Sequence, residues 1–117
     1  MPRRADRVQE TCSTTGTGPY TTSGVAVAGY QTFASAFAGG SLLEYAASDG
    51  TNWEVGLGTY DGATGLTRDM IRASSNGGNA VNWSGATVNI WSDIGAGFLG
   101  NVNLGRQAAT VQRQGWL

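Results

Sequence analysis

The sequence predicts an all-β protein, a small antiparallel β-sandwich or barrel with a β-meander at its core. The first observation is an alternation over residues 52–60, where the larger and mostly apolar side chains occupy every second position. Successive side chains of a strand point to opposite sides, so this pattern is typical of a strand with one buried side. One side carries Trp53, Val55, Leu57 and Thr59, and the other carries Asn52, Glu54, Gly56 and Gly58. We expect the side with Trp53 to face the core and the side with Glu54 to face solvent.

The second observation is that turn-forming residues flank this strand. Asp49-Gly50 precedes it and suits the positive φ angles of a type I′ hairpin turn. Residues 61–65 follow it and can close a second, slightly longer hairpin. The third observation is the composition, with 19 glycines and 13% charged residues, about half the usual charged share of about 25%.

The N-terminal half yields one strand, one interrupted strand and one helical segment. Residues 1–7 form a predicted arm, and residues 7–13 alternate as a strand with Val8, Glu10 and Cys12 on one side. Residues 14–24 favour a strand at a sheet edge or a bend, because Pro19 has no amide hydrogen to donate. Residues 29–38 are compatible with one or two helical turns. Their aromatic rings recur at helical spacing: Tyr30, Phe33 and Phe37.

The C-terminal half continues the meander. Residues 41–47 and 66–74 are predicted strands, and the second should pair with residues 53–60. In that strand one side would carry Leu66, Arg68, Met70 and Arg72. Residues 81–83 and 86–91 are two further short strands, with Trp83 in the core. The predicted organisation is therefore an N-terminal arm (1–7), a β-domain (8–91) and a C-terminal extension or arm (92–117).

Composition limits the function classes. A chain of 117 residues is long enough for one domain with a modest core, and its formal net charge of −1 provides no field that would attract nucleic acid or an anionic membrane. No apolar segment reaches the length needed to span a bilayer, and the start Met-Pro-Arg-Arg lacks a signal core. We expect a protein that folds in a cytoplasm and is not exported by the usual secretory route.

The residue types present argue against an enzyme. The chain has no histidine and one cysteine, Cys12, which rules out an internal disulfide, a His/Cys metal cluster and imidazole catalysis. Glu54 and Asp69 lie on neighbouring predicted strands, but outward charges paired with Arg68 or Arg72 are the commoner arrangement. The turn aspartates lack the spacing of a calcium loop, and turn chemistry explains them. We expect no catalytic residues, no metal and no cofactor.

Contact with other proteins is the more promising role for the surface. All seven basic residues are arginine, whose planar and weakly hydrated cation suits interfaces better than lysine does. Two large apolar residues stand at the C-terminus, where packing against the core or a neighbour would cover them. The candidate partner-interface residues are Arg3, Arg4, Arg7, Arg106, Arg113, Trp116 and Leu117.

Several segments together resemble a family of small structural proteins of tailed bacteriophages. The shared pattern has the form D-R-V-x-E-T, T-G-T-G, G-Y-x-x-F, D-G-x-x-W-E-V-G-x-G-x-Y, L-x-R and S-S-N-G-G, in that order. In this chain these segments are DRVQET (6–11), TGTG (15–18), GYQTF (29–33), DGTNWEVGLGTY (49–60), LTR (66–68) and SSNGG (74–78). The likeness extends from Asp6 to about Trp91, and the W-E-V-G-x-G-x-Y core is its most specific part.

The resemblance implies a β-rich virion protein that is made in the host cytoplasm. We expect a capsid decoration (cement) protein that lies on the capsid surface, binds the major capsid protein or other virion proteins, and forms a homotrimer. One alternative is a tail- or connector-associated adaptor that anchors a fibre or spike. A second alternative, of another class, is a module that binds host carbohydrate, for which Trp91 or Tyr60 would have to be exposed. Burial of both would argue against it.

Overall fold

The structure is a computed structural model, and it describes Arg3 and residues 5–92. Glycine-rich and asparagine-rich turns separate short strands in this part of the chain, and a single helical turn interrupts them. The elements are β1 (Val8–Cys12), β2 (Thr15–Gly16), β3 (Tyr20–Ala26), α1 (Phe33–Ala36), β4 (Leu42–Ser48), β5 (Trp53–Thr59), β6 (Gly65–Leu66), β7 (Met70–Ser74), β8 (Trp83–Ser84) and β9 (Val88–Ser92).

Seven of these strands form one antiparallel sheet in the order β6-β3-β1-β9-β4-β5-β7, and β2 pairs with β8 beside it. The sheet curls into a half-barrel. At one end of the half-barrel, Leu66 connects strands near opposite edges of the sheet. It pairs with Tyr20 of β3 and also forms a bridge with Tyr60 at the end of β5. The predicted all-β antiparallel class is confirmed.

The core lies on the concave side of the curled sheet. Aromatic and aliphatic side chains fill it, and the largest of them are completely buried. Its members are Val8, Cys12, Tyr20, Phe33, Phe37, Leu43, Tyr45, Ala47, Tyr60, Leu66, Val81, Trp83, Val88 and Ile90. The core position predicted for Trp83 is therefore confirmed.

The predicted helical segment contains one short helix, α1. Thr32 caps it by accepting a hydrogen bond from the Ser35 amide at 3.1 Å. Phe33 and Phe37 are buried, with ring centroids 6.2 Å apart. Tyr30 does not share their environment, because it precedes the helix and is 36% exposed. The expectation that all three rings pack on one helical face was wrong for Tyr30.

The predicted orientation of β5 was also wrong. Trp53 is 45% exposed on the convex side, whereas Glu54 is completely buried on the concave side. The two glycines on the Glu54 side explain why. A Cβ added to Gly56 would lie 2.1 Å from the Met70 carbonyl oxygen, and one added to Gly58 would lie 2.0 Å from the Thr67 carbonyl oxygen. The backbone of the following segment therefore occupies the space that larger side chains would need.

The predicted strand 66–74 is divided into β6 and β7, because residues 67–69 leave the ladder. Leu66 is buried, but Met70 is 55% exposed on the convex side, opposite Leu57. The expected alignment of Leu66, Arg68, Met70 and Arg72 on one side is therefore wrong. In the hairpin before β5, Asp49 donates its amide hydrogen to the Asn52 carbonyl, and of the two residues between them only Gly50 has a positive φ. A type I′ turn needs two, so that prediction was wrong as well.

Gly58→Ala should destabilise the fold, because no Cβ fits beside the Thr67 carbonyl. We expect the free energy of unfolding to fall by about 3 kcal/mol, as measured by urea unfolding. The matched control is Gly18→Ala, since a Cβ there would meet no atom within 4 Å and the backbone needs no positive φ. Equal stabilities of the two variants would contradict the packing described for β5.

Candidate functional site

A buried carboxylate lies at the centre of the concave side. Glu54 accepts hydrogen bonds from the hydroxyls of Tyr20 at 2.9 Å and Tyr45 at 2.6 Å. The Val81 amide donates a third at 2.8 Å. Two more come from the guanidinium of Arg68, from Nε at 2.8 Å and from Nη2. Both oxygens of a completely buried carboxylate are thus satisfied by five donors.

Arg68 connects this carboxylate to the surrounding loops. Its guanidinium donates to the Val81 carbonyl at 2.8 Å and to the carbonyls of Gly16 and Gly18, both at 3.3 Å. It also stacks over the ring of Tyr20, 5.0 Å from the centroid. The planar fork of arginine suits several fixed acceptors at once. Arg68 lies in the middle of the segment 67–69, which separates β6 from β7, and its side chain points inward to Glu54.

The charges of the cluster follow from its geometry. Burial alone would raise the pKa of Glu54, but hydrogen bonds from Arg68, Tyr45, Val81 and Tyr20 outweigh it and lower that pKa below its ordinary value. Burial is also the main reason that the pKa values of Tyr20 and Tyr45 are raised, and the neighbouring carboxylate raises them further. An ionised Glu54 is therefore surrounded by neutral phenols that can only donate to it. With side-chain exposures of 0% for Glu54 and 3% for Arg68, this ion pair has a structural role.

Glu10 is a second completely buried carboxylate. It accepts hydrogen bonds from the Gly24 amide at 2.7 Å and from the Phe33 amide at 2.8 Å. It therefore joins β1 to β3 and to the first residue of α1. Sequence reasoning placed Glu10 on the same side of its strand as Val8 and Cys12, which was correct, but did not draw from this that the carboxylate is buried.

The surface most suited to contact with another molecule is the convex side of β4, β5, β7 and β9. Strand pairing places Trp91, Ala46, Val55 and Ala73 side by side across it, and Leu57 lies opposite Met70. Trp53 and Met70 are 45% and 55% exposed. We call this area, with Ala46, Trp53, Val55, Leu57, Met70 and Trp91 as its apolar members, the convex patch.

One ion pair interrupts the convex patch. Glu44 lies opposite Leu57 on this side and is only 4% exposed, and Arg72 Nη2 lies 3.9 Å from its Oε2. That oxygen is buried and has no hydrogen-bond partner within the described residues. A buried acceptor without a donor is costly, and the Arg72 guanidinium offsets part of this cost as the neighbouring cation.

The candidate interface arginines differ in their surroundings. Arg3 is exposed, and its amide donates to the Leu42 carbonyl at 2.7 Å, so its backbone lies along the start of β4. Arg7 is also exposed, and its guanidinium lies 4.1 Å from the centre of the Tyr30 ring. The other candidates, Arg4, Arg106, Arg113, Trp116 and Leu117, lie outside the described residues.

The acidic residues considered for chemistry are separated or belong to turns. Glu54 points inward, whereas Asp69 is exposed and accepts hydrogen bonds from Thr59 at 2.7 Å and Thr67 at 2.6 Å. The expectation that Glu54 faces solvent was wrong, although its pairing with Arg68 is as suggested. Asp49 and Asp61 accept amide hydrogen bonds within their own turns.

Across Arg3 and residues 5–92, no three acidic or cysteine side chains converge in a way that could hold a metal ion. In the same part of the chain, no helix has the length and apolar character needed to cross a membrane. Comparison with protein-family models, with curated proteins and with solved structures gives no match to this chain.

Glu54→Gln should weaken the fold at neutral pH, because it removes one charge of a buried ion pair and leaves Arg68 without its counter-ion. We expect a loss of about 3–5 kcal/mol in urea unfolding at pH 7. The pKa of Glu54 is lower in the folded than in the unfolded state. The wild type therefore has this contribution in full above the unfolded pKa and loses it as pH falls towards the folded pKa.

The difference in stability between wild type and Glu54→Gln should consequently shrink from pH 7 to pH 3. Asp69→Asn is the control, because it removes an exposed carboxylate whose pKa is lowered by Thr59 and Thr67. We expect Asp69→Asn to lower the free energy of unfolding at pH 7 much less than Glu54→Gln does. A wild-type advantage that grew on acidification would contradict an ionised Glu54 in the folded protein.

Proposed function

We propose that this chain is a structural protein of a tailed-bacteriophage virion, and that it decorates the assembled capsid. The sequence pattern that resembles the phage family supports this proposal. The pattern also makes structural sense, since Glu54, Gly56, Gly58 and Tyr60 of W-E-V-G-x-G-x-Y point into the half-barrel and Trp53 points out. Four of these five positions serve the fold, whereas an exposed tryptophan does little for a core.

The observation that carries the proposal is the convex patch. Trp53 and Met70 are the exposed members, and tryptophan and methionine are enriched in protein interfaces. Val55 and Leu57 lie between them and are half-buried, so an area of sheet continues the apolar surface. Binding a flat protein surface would remove this area from water and stabilise the complex by the hydrophobic effect.

The Glu44–Arg72 pair supports a protein partner over a purely apolar one. The Arg72 side chain is 33% exposed, so its guanidinium has hydrogens that can be donated to an acceptor on the partner. A subunit of an icosahedral shell offers backbone carbonyls and acidic side chains as acceptors. We therefore propose that the major capsid protein or another virion protein covers this side, with three copies of the chain arranged around a local threefold axis.

The energetic role would be to stabilise the shell. A ligand that binds only the assembled state shifts the equilibrium towards that state by mass action, without changing the subunits. A decoration protein that bridges neighbouring capsid subunits has this property, because its full contact surface exists only after assembly. The polar, uncharged character of the chain suits a protein whose working state lies against other proteins.

The test is addition of the purified protein to undecorated capsids of the phage that encodes it. We expect binding, a rise in the melting temperature of the capsids and a trimer by light scattering. Trp53→Ala should weaken binding about tenfold or more, as the loss of a central interface tryptophan often does. Val25→Ala is the matched control, because Val25 is 69% exposed on β3, outside the convex patch.

Binding to tails or connectors but not to capsids would count against the decoration role and favour the adaptor that anchors a fibre. Capsid binding that Trp53→Ala and Val25→Ala weaken equally would show that the convex patch is not the binding surface.

A further inference from the structure

A groove lies on the convex side where β1, β9 and the end of β4 meet the loop before α1. Its volume is about 560 Å³, which is large enough for a small organic ligand. Aromatic, amide and hydroxyl groups line it, together with one guanidinium and no carboxylate. The lining residues are Arg7, Val8, Gln9, Tyr30, Ser48, Gly50, Asn89, Trp91 and Ser92.

The floor of the groove combines a large ring with free amide groups. Trp91 is half-buried and lies opposite Gln9 in the pairing of β9 with β1. The Gln9 side chain donates to the Asn89 side chain at 3.2 Å. This bond uses one donor and one acceptor, so the Gln9 carbonyl oxygen and the Asn89 NH₂ group have no protein partner among the described residues. An acceptor and two donors therefore lie next to the indole.

Arg7 also lines the groove and has three unusual features. Its φ of 59° is the only positive value at a non-glycine residue in the described part of the chain. Its guanidinium stacks 4.1 Å from the centre of the Tyr30 ring, and Nε and Nη2 donate to the Gly29 carbonyl at 3.2 and 3.0 Å. No carboxylate of the described residues lies within 4.0 Å of it, in contrast to Arg68 and Arg72.

These features together indicate a ligand site. A non-glycine residue in the left-handed region carries backbone strain, and such strain is concentrated at ligand-binding positions. The Gly29 carbonyl and the Tyr30 ring hold the guanidinium of Arg7 in place, and its Nη1 group makes no hydrogen bond within the described residues. A positioned guanidinium without a counter-ion is suited to bind a carboxylate.

We propose that this groove binds an oligosaccharide that carries a carboxylate, such as a uronic or sialic acid. The apolar face of a sugar ring would stack on Trp91, and its hydroxyls would pair with the free groups of Gln9 and Asn89. The carboxylate would accept from Nη1 of Arg7. A polyphosphate is less suitable, because one arginine is the only charged residue that lines the groove. Trp91 belongs to both the groove and the convex patch, whereas the exposed residues on which the proposed capsid attachment depends, Trp53 and Met70, lie outside the groove.

The experiment is a screen of the fluorescently labelled full chain on a glycan array with uronate-containing, sialylated and neutral saccharides. Trigalacturonate and sialyllactose are then titrated by calorimetry, each beside its methyl ester. The ester keeps the ring and hydroxyls but removes the charge. We expect binding of at least one acid and about tenfold weaker binding of its ester.

Three variants locate the site. Arg7→Asn removes the guanidinium but keeps a residue that tolerates a positive φ, and it should bring the affinity for the acid down to that of the ester. Trp91→Ala should weaken acid and ester alike, because it removes the stacking surface. Arg3→Ala is the control, since Arg3 is an exposed arginine beside Leu42. Leu42 is the first residue of β4, whereas Ser48, which lines the groove, is the last. Arg3→Ala should bind as the wild type does.

The proposal is overturned if no acidic glycan on the array binds, if ester and acid bind equally, or if Arg7→Asn binds as tightly as Arg3→Ala. Melting curves of each variant by circular dichroism establish that the fold is intact. Because the acid and its ester are compared on the unchanged protein, the charge dependence is tested even if a variant does not fold.

Discussion

The ion pair between Glu54 and Arg68 is the interaction on which the rest of the structure depends. Isolated charges are costly to bury, and an ion pair offsets this cost only when hydrogen bonds satisfy the remaining groups. Here five donors converge on the carboxylate, and Arg68 additionally reaches three backbone carbonyls. The pair thereby joins β5 to β2, to the loop after β2 and to the residues before β8. No ladder of the main sheet connects β5 to these segments.

The burial of Glu54 also determines the character of the surface. The side-chain period of a strand is two, so a carboxylate that points inward places Trp53 and Val55 outside. The same side of β5 continues with Leu57, and the paired strands add Ala46, Met70 and Trp91. An apolar convex patch is therefore a direct consequence of a polar interior. The exposed apolar area and the buried charge both follow from which side of β5 faces the interior.

Glycine makes that register possible. Gly56 and Gly58 follow Glu54 on the concave side, and the carbonyls of Met70 and Thr67 approach within about 2 Å of the positions where a Cβ would stand. The segment 67–69 can then cross close to β5, which allows Arg68 to reach Glu54. The two glycines and the two charged residues therefore depend on each other. The glycines let the segment 67–69 approach β5, and the ion pair between Glu54 and Arg68 holds that segment there.

Much of the framework could be predicted from the sequence. Alternation identified β1 and β5, turn residues placed the hairpins, and Val8, Glu10 and Cys12 were correctly assigned to one side. The orientation of β5 could not be predicted, because hydropathy assigns glutamate and glycine to solvent and tryptophan to the core. The break at 67–69 could not be predicted either, because it depends on the contact between Arg68 and Glu54, which are far apart in the sequence. Glu10 alternates with Val8 and Cys12, a pattern that could have indicated its burial, whereas Glu54 shares its side with Asn52, Gly56 and Gly58 and has no such apolar neighbours in the pattern.

The central role of the Glu54–Arg68 ion pair is tested most directly by titrating the Glu54 side-chain carboxyl by carbon NMR in the folded protein. We expect a pKa for Glu54 below that of a glutamate in an unfolded peptide, so that the carboxylate is still ionised where exposed glutamates are half protonated. A pKa above the peptide value would mean that Glu54 is buried as a neutral acid. In that case the ion pair with Arg68 would not be the interaction that organises the half-barrel.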